Sequence, residues 1–135
     1  MEKLTGLPEV AYTSDCQARI AFEVIANRWD GVIVYTLGES GPMRPRALLS
    51  RIGGISPKVL NEALRRLEYN GLVERRVYAE APPRVDYSLT EAGGALLEPM
   101  RAMGAWAKRY ADTVLDAQER FGERGRSRAQ AAPRP

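Results

Sequence analysis

Lys58, Asn61 and Arg65 follow one another at intervals of three and four residues, the spacing that gathers side chains on one face of an α-helix. With Leu60 at 0° and about 100° per residue, they fall at about 160°, 100° and 140°, whereas Ala63, Leu64 and Leu67 fall at about 300°, 40° and 340°. An apolar face is thus opposed by a face of two cations and an amide. Arginine pairs bidentately with guanine and asparagine with adenine, each contact giving about 1–3 kcal/mol of discrimination, so this polar face has the chemistry to read base edges. It also fits an ordinary solvated helix surface, a reading that Glu62, which would repel phosphate, favours. Arg44, Arg46 and Arg51 flank the preceding segment as phosphate ligands or as solvated charges. Arg84 follows Pro82-Pro83 at a predicted hairpin tip, where a stiffly held guanidinium suits insertion into a DNA minor groove; a solvated loop arginine is the alternative.

Other chemistries are closed to this chain. It has no histidine and one cysteine, Cys16, which removes imidazole general bases, Ser-His-Asp triads, haem-histidine ligation, Cys/His zinc sites and an internal disulfide. No glycine loop of phosphate-cradling pattern is present either. The expectation is therefore a protein that is not an enzyme and needs no metal or cofactor. Cys16 is the one residue with redox chemistry. It sits at a predicted helix N-terminus with Arg19 one turn on, both favouring thiolate, while Asp15 opposes them. The two readings are a thiol sensor and a small residue packed at an interface.

These side chains need elements to hold them. The 135 residues are 44% hydrophobic and 27% charged, the make-up of one globular domain. The charge is unevenly placed: residues 41–90 carry nine basic and five acidic side chains against three and six in residues 1–40. Residues 1–13 read as a flexible arm, 14–121 as the folded domain and 122–135 as a disordered basic tail. A first helix is expected from Ser14 or Asp15 to Ala26, and a second over Trp29–Leu37 with Trp29, Val32, Ile33 and Leu37 inward. A third runs over Pro45–Ile52 and stops at Gly53-Gly54. The next begins with Ser56 as cap and Pro57 in the first turn and ends at Asn70-Gly71.

After Gly71 the apolar period becomes two, with Val73, Val77, Val85, Tyr87 and Leu89 on a β-hairpin around the Pro82-Pro83 connection. Thr90-Glu91 then opens a long final helix, where Leu96, Met100, Met103, Ala107, Tyr110 and Val114 keep the alternating spacing of a packing seam. Pro99 marks a kink or the helix's true start. So long an apolar stripe calls for a second chain. The fold class that results is mainly α with a small β-hairpin: a winged helix-turn-helix whose long last helix serves dimerisation, to which the resemblance given next adds the N-terminal helix. The longest unbroken apolar run, Val32 to Tyr35, is too short to cross a bilayer, and no secretory start precedes it, so a cytoplasmic protein without membrane contact is expected.

Several segments together carry a family resemblance: Trp29 with its aliphatic helix, Gly53-Gly54-Ile55-Ser56-Pro57-Lys58-Val59-Leu60, Leu64-Arg65-Arg66-Leu67-Glu68, Gly71-Leu72-Val73-Glu74-Arg75 and Pro82-Pro83-Arg84-Val85-Asp86-Tyr87-Ser88-Leu89-Thr90. From about Cys16 to Tyr110 the chain resembles the HxlR family of bacterial and archaeal transcriptional regulators. That resemblance implies a homodimeric winged helix on double-stranded operator DNA of inverted-repeat form, acting as a repressor. It implies Ser56, Pro57, Lys58, Asn61 and Arg65 on the recognition helix and Arg84 in the wing. Dimerisation through the first and last helices would use Ile20 and the seam from Leu96 to Val114. Many members carry an N-terminal cysteine commonly followed by proline, in some of them a sensor of electrophiles or oxidants; here Gln17 follows Cys16. An electrophile or small molecule is the implied effector. The rival is a winged-helix module that binds protein and not DNA.

Overall fold

The computed structural model describes residues 17–131. Eight elements follow in order: α1 (Gln17–Ala26), α2 (Asp30–Ser40), α3 (Pro45–Arg51), α4 (Pro57–Tyr69), β1 (Val73–Tyr78), β2 (Arg84–Leu89), α5 (Glu91–Ala95) and α6 (Leu97–Ala131). The chain divides after Leu97 into two units. The core of the first is apolar and formed by Ile33, Val34 and Leu37 of α2, Leu48 of α3, and Leu60, Ala63, Leu64 and Leu67 of α4, with Ile52, Leu72, Val73 and Tyr87. Each buried leucine contributes roughly 1.5–3 kcal/mol of gross hydrophobic stabilisation.

The second helix begins one residue later than its apolar pattern predicts, and it packs with its inward face rotated from the predicted one. Starting at Asp30, the buried set is Asp30, Ile33, Val34 and Leu37, the i, i+3, i+4, i+7 stripe of a core-facing helix. Val32, expected inward, is exposed. Asp30 is 1% exposed and is held by Arg66 of α4, whose Nε–H donates to Oδ2 at 3.1 Å and Nη2–H to Oδ1 at 2.8 Å. This two-pronged pair ties α2 to α4. Hydrogen bonding to Asp30 raises the Arg66 pKa above its ordinary value.

Helix α4 starts as its sequence requires. The Ser56 hydroxyl accepts the Val59 N–H at 3.2 Å, and Pro57 occupies the first turn. The turn before it uses Gly54 at φ 84° and the exit uses Gly71 at φ 72°, backbone positions that favour glycine. Beyond Gly71 the antiparallel hairpin pairs Val73 with Leu89, Arg75 with Tyr87 and Tyr78 with Arg84. Met43 forms a further bridge to the free edge of β2, exchanging two backbone hydrogen bonds with Tyr87 at 3.0 and 2.9 Å. The segment before α3 is thereby stitched to the wing.

The predicted single final helix is two helices. Thr90 does cap, accepting the Gly93 N–H at 3.1 Å, while its hydroxyl donates to the Gly71 carbonyl at 2.6 Å. The helix it opens, α5, ends at Ala95. Leu96 therefore lies at the junction and not on the seam helix, and Pro99 falls in the first turn of α6, where its missing N–H costs no hydrogen bond.

The second unit begins at Glu98. In it α6 continues to Ala131, so the expected disordered tail from Gly122 is helical through that residue. Gly122 and Gly125 each cost about 1 kcal/mol. Extending a helix already formed needs no new nucleus, and the surrounding Arg, Glu, Gln and Ala residues are good helix formers. Along α6, Met103, Trp106, Tyr110, Val114 and Phe121 are exposed apolar side chains, all within about 80° of one another around the helix axis. Trp106 and Tyr110 lie against each other with ring centroids 5.8 Å apart. The expected residues 1–13 arm, the start of the first helix and Cys16 lie outside the described residues.

Candidate nucleic-acid interface

The angular separation anticipated for residues 58–67 is realised in α4. Leu60, Ala63, Leu64 and Leu67 are buried, and Lys58, Asn61 and Arg65 are exposed. Ser56 and Pro57 spend their roles on the helix start, placing the polar face near an N-terminus whose dipole favours anions. Arg44 precedes α3 as its capping residue, and Arg46 lies in its first turn; both are exposed.

A groove of about 630 Å³ lies between α4 and the wing. Lys58, Asn61, Glu62, Arg65 and Glu68 line it from α4, and Arg75 and Tyr87 from the hairpin. The structure thus unites the three base-reading candidates and adds Arg75, a strand residue outside the sequence-predicted site. Tyr87, buried and directly opposite Arg75 in register, is the signal that places Arg75 on the helix side, because cross-strand partners share a sheet face.

Arg84 does not project from a hairpin tip. Its guanidinium lies over the Tyr78 ring, 3.9 Å from the centroid, 3.5 Å from a Glu80 oxygen and 3.6 Å from an Asp86 oxygen. Its side chain is 29% exposed, and Nε is buried without a hydrogen bond. The physical cause is the register: Tyr78 stands opposite Arg84, and Asp86 follows on the same face. The arginine predicted to reach outward is drawn back onto its own hairpin.

Among the described residues no group of three or more His, Cys, Asp or Glu side chains is placed to hold a metal ion, and no helix is long and apolar enough to cross a membrane. Of the predicted seam, Met103, Tyr110 and Val114 are exposed apolar residues on α6, as Ile20 is on α1; Ala107 is exposed and Met100 half-buried.

The HTH-type transcriptional regulator YodB of Bacillus subtilis (strain 168) is 40% identical to this chain over 102 residues, covering 73% of this chain and 90% of that protein. The solved reduced form of YodB superposes with a TM-score of 0.63 at 41% identity, over 68% of this chain and 89% of that one. The oxidised form of the redox regulator HypR gives a TM-score of 0.61 at 35% identity, over 70% and 96%. The model of the HxlR-like helix-turn-helix family matches residues 24–115, the stretch that contains α3, the glycine turn, α4 and the hairpin, and the chain belongs to that family.

Proposed function

We propose that this chain is a homodimeric transcriptional regulator that reads an inverted-repeat operator through α4 in the major groove, with Arg44 and Arg46 on backbone phosphates. The observation that carries the reading is the exposure of Lys58, Asn61 and Arg65 together, opposite a wholly buried apolar face, on a helix held by Ser56. The α6 stripe supports a second copy of the chain as partner, since a monomer would leave Met103, Trp106 and Tyr110 in water. Two-fold symmetry would set the recognition helices about 34–36 Å apart, one turn of DNA. Such a regulator works in the cytoplasm.

Redox control through Cys16 is part of the proposal, supported by the relatives: YodB is solved in reduced and diamide-treated forms, and HypR in oxidised and reduced forms. With one cysteine per chain, the oxidised state is a bridge between two chains or a mixed disulfide with a small thiol.

The test is binding of the purified chain to duplexes selected from a random library, measured over a range of salt. Log affinity falls with log salt at about −0.9 per phosphate neutralised. Arg65→Ala relaxes sequence preference, whereas Arg46→Ala weakens selected and random duplexes alike. Salt-independent behaviour, or equal losses for both variants on both DNAs, overturns the assignment and favours a protein-binding module. Unchanged affinity after stoichiometric labelling of Cys16 removes the redox element alone.

A further inference from the structure

The wing carries three arginines, and strand alternation divides them between its two faces. Val73, Arg75 and Val77 share a face with their register partners Leu89, Tyr87 and Val85; Glu74, Arg76 and Tyr78 share the other with Ser88, Asp86 and Arg84. The first face is the one turned to α4, because Val73 and Tyr87 are buried there and Arg75 lines the groove with Lys58 and Arg65.

On the opposite face one cation is already engaged and the other points away from the groove. Arg84 is taken up by the Tyr78 ring and by Glu80 and Asp86. Arg76 stands opposite Asp86 in register; it is exposed and makes no ion pair within 4.0 Å among the described residues, but it lies on the face away from α4. Arg75 combines both conditions: it lines the groove, and among the described residues it makes no ion pair within 4.0 Å, as Lys58 and Arg65 make none, in contrast to Arg66 and Arg84. Three cations face one groove, unpaired, with Glu62 and Glu68 as its carboxylates. The balance is one net positive charge, which suits a single phosphate. Like charges gathered this way repel one another until an anion enters.

We propose that Arg75 is the wing residue that grips a DNA backbone phosphate beside the recognition helix, while Arg84 holds the hairpin in shape. This rests on the DNA-binding reading above and adds to it the strand residue that completes the groove. A phosphate contact positions the protein without reading sequence, so the expected signature is a loss shared by all DNAs.

The experiment uses the full chain, a 30-base-pair duplex selected by it from a random library, and a scrambled duplex of the same composition, by fluorescence anisotropy across a salt series. Arg75→Ala weakens both duplexes by the same factor, roughly tenfold per protomer for one lost charge-assisted hydrogen bond, and shrinks the salt slope by about 0.9 per protomer. Arg75→Lys restores the slope, and the urea midpoint of Arg75→Ala stays at the parent value because the side chain has no partner to lose. Parent-like affinity and slope in Arg75→Ala overturn the proposal while leaving the DNA-binding reading intact. A loss confined to the selected duplex also overturns it, and so does an Arg84→Gln variant that takes over the slope effect. A parent chain that binds neither duplex overturns both readings.

Discussion

Substituting Arg66 by alanine leaves the Asp30 carboxylate in a site where it is 1% exposed and where, among the described residues, no other side chain donates to it. Removing one partner of a buried ion pair costs about 3–5 kcal/mol. Asp30 occupies the first turn of α2, where the helix dipole offsets about 0.3–1 kcal/mol for a carboxylate, so the lower end, about 3 kcal/mol, is expected. The reverse substitution is milder. The Arg66 side chain is 39% exposed, and in Asp30→Ala it turns into water, leaving a loss of about 1–1.5 kcal/mol for the hydrogen bonds and the small void. With the carboxylate gone, removing Arg66 as well adds little, so a double-mutant cycle gives a coupling near 3 kcal/mol. Urea unfolding at fixed protein concentration, followed by far-ultraviolet circular dichroism, reads these differences. With a slope of about 2 kcal/mol/M, Arg66→Ala lowers the midpoint by about 1.5 M. Because hydrogen bonding raises the Arg66 pKa, the guanidinium's contribution is fully present below its ordinary titration range and is lost only as pH rises past the raised value, so the asymmetry holds at every neutral pH. An Asp30→Ala loss equal to or larger than that of Arg66→Ala, or a coupling near zero, would refute the reasoning.

Three further outcomes follow from named contacts. Gly93→Ala puts a Cβ into the Leu72 carbonyl, backbone that cannot swing aside, and lowers stability by about 2 kcal/mol in the same urea assay. Ser56→Ala removes the acceptor for the Val59 N–H and costs about 1 kcal/mol, with a matching loss of amide protection confined to the first turn of α4. Met103→Asp places a charge in the exposed α6 stripe; light scattering at micromolar concentration is expected to find a monomer, and tight operator binding by that monomer would show that the stripe serves another purpose.

What local pattern encodes was legible. The Ser56 cap, the glycine turns, the apolar period of α4 and the change to a period of two after Gly71 depend on neighbours within a few residues, and each emerged where expected. The Asp30–Arg66 pair did not, because its members are 36 residues apart; an aspartate at a helix start reads locally as a solvated charge favoured by the dipole. The same limit explains Val32. Which face of α2 turns inward is set by its packing, where Asp30 is buried against Arg66 of another helix, and a buried aspartate is not part of an apolar pattern. The helical stretch after Gly122 was hidden differently: composition rich in Gly and Arg argued for disorder, and only continuation from α6 made extension inexpensive.

The wing shows how far strand parity alone can carry a site assignment. With the observed register, alternation puts Arg75 on one face and Arg84 on the other; the sequence offered only the period of two. It did not reveal which face meets α4. That is decided by Tyr87, whose burial and backbone bridge to Met43 turn its face of the hairpin inward. Once that face is fixed, Tyr78, Asp86 and Glu80 surround Arg84 and Arg75 is left beside Lys58 and Arg65. Position next to two prolines made Arg84 conspicuous, but availability to an anion depends on which partners already hold a guanidinium and on which face it stands, and by that measure Arg75, without an ion pair among the described residues and turned to the groove, is better placed than Arg84.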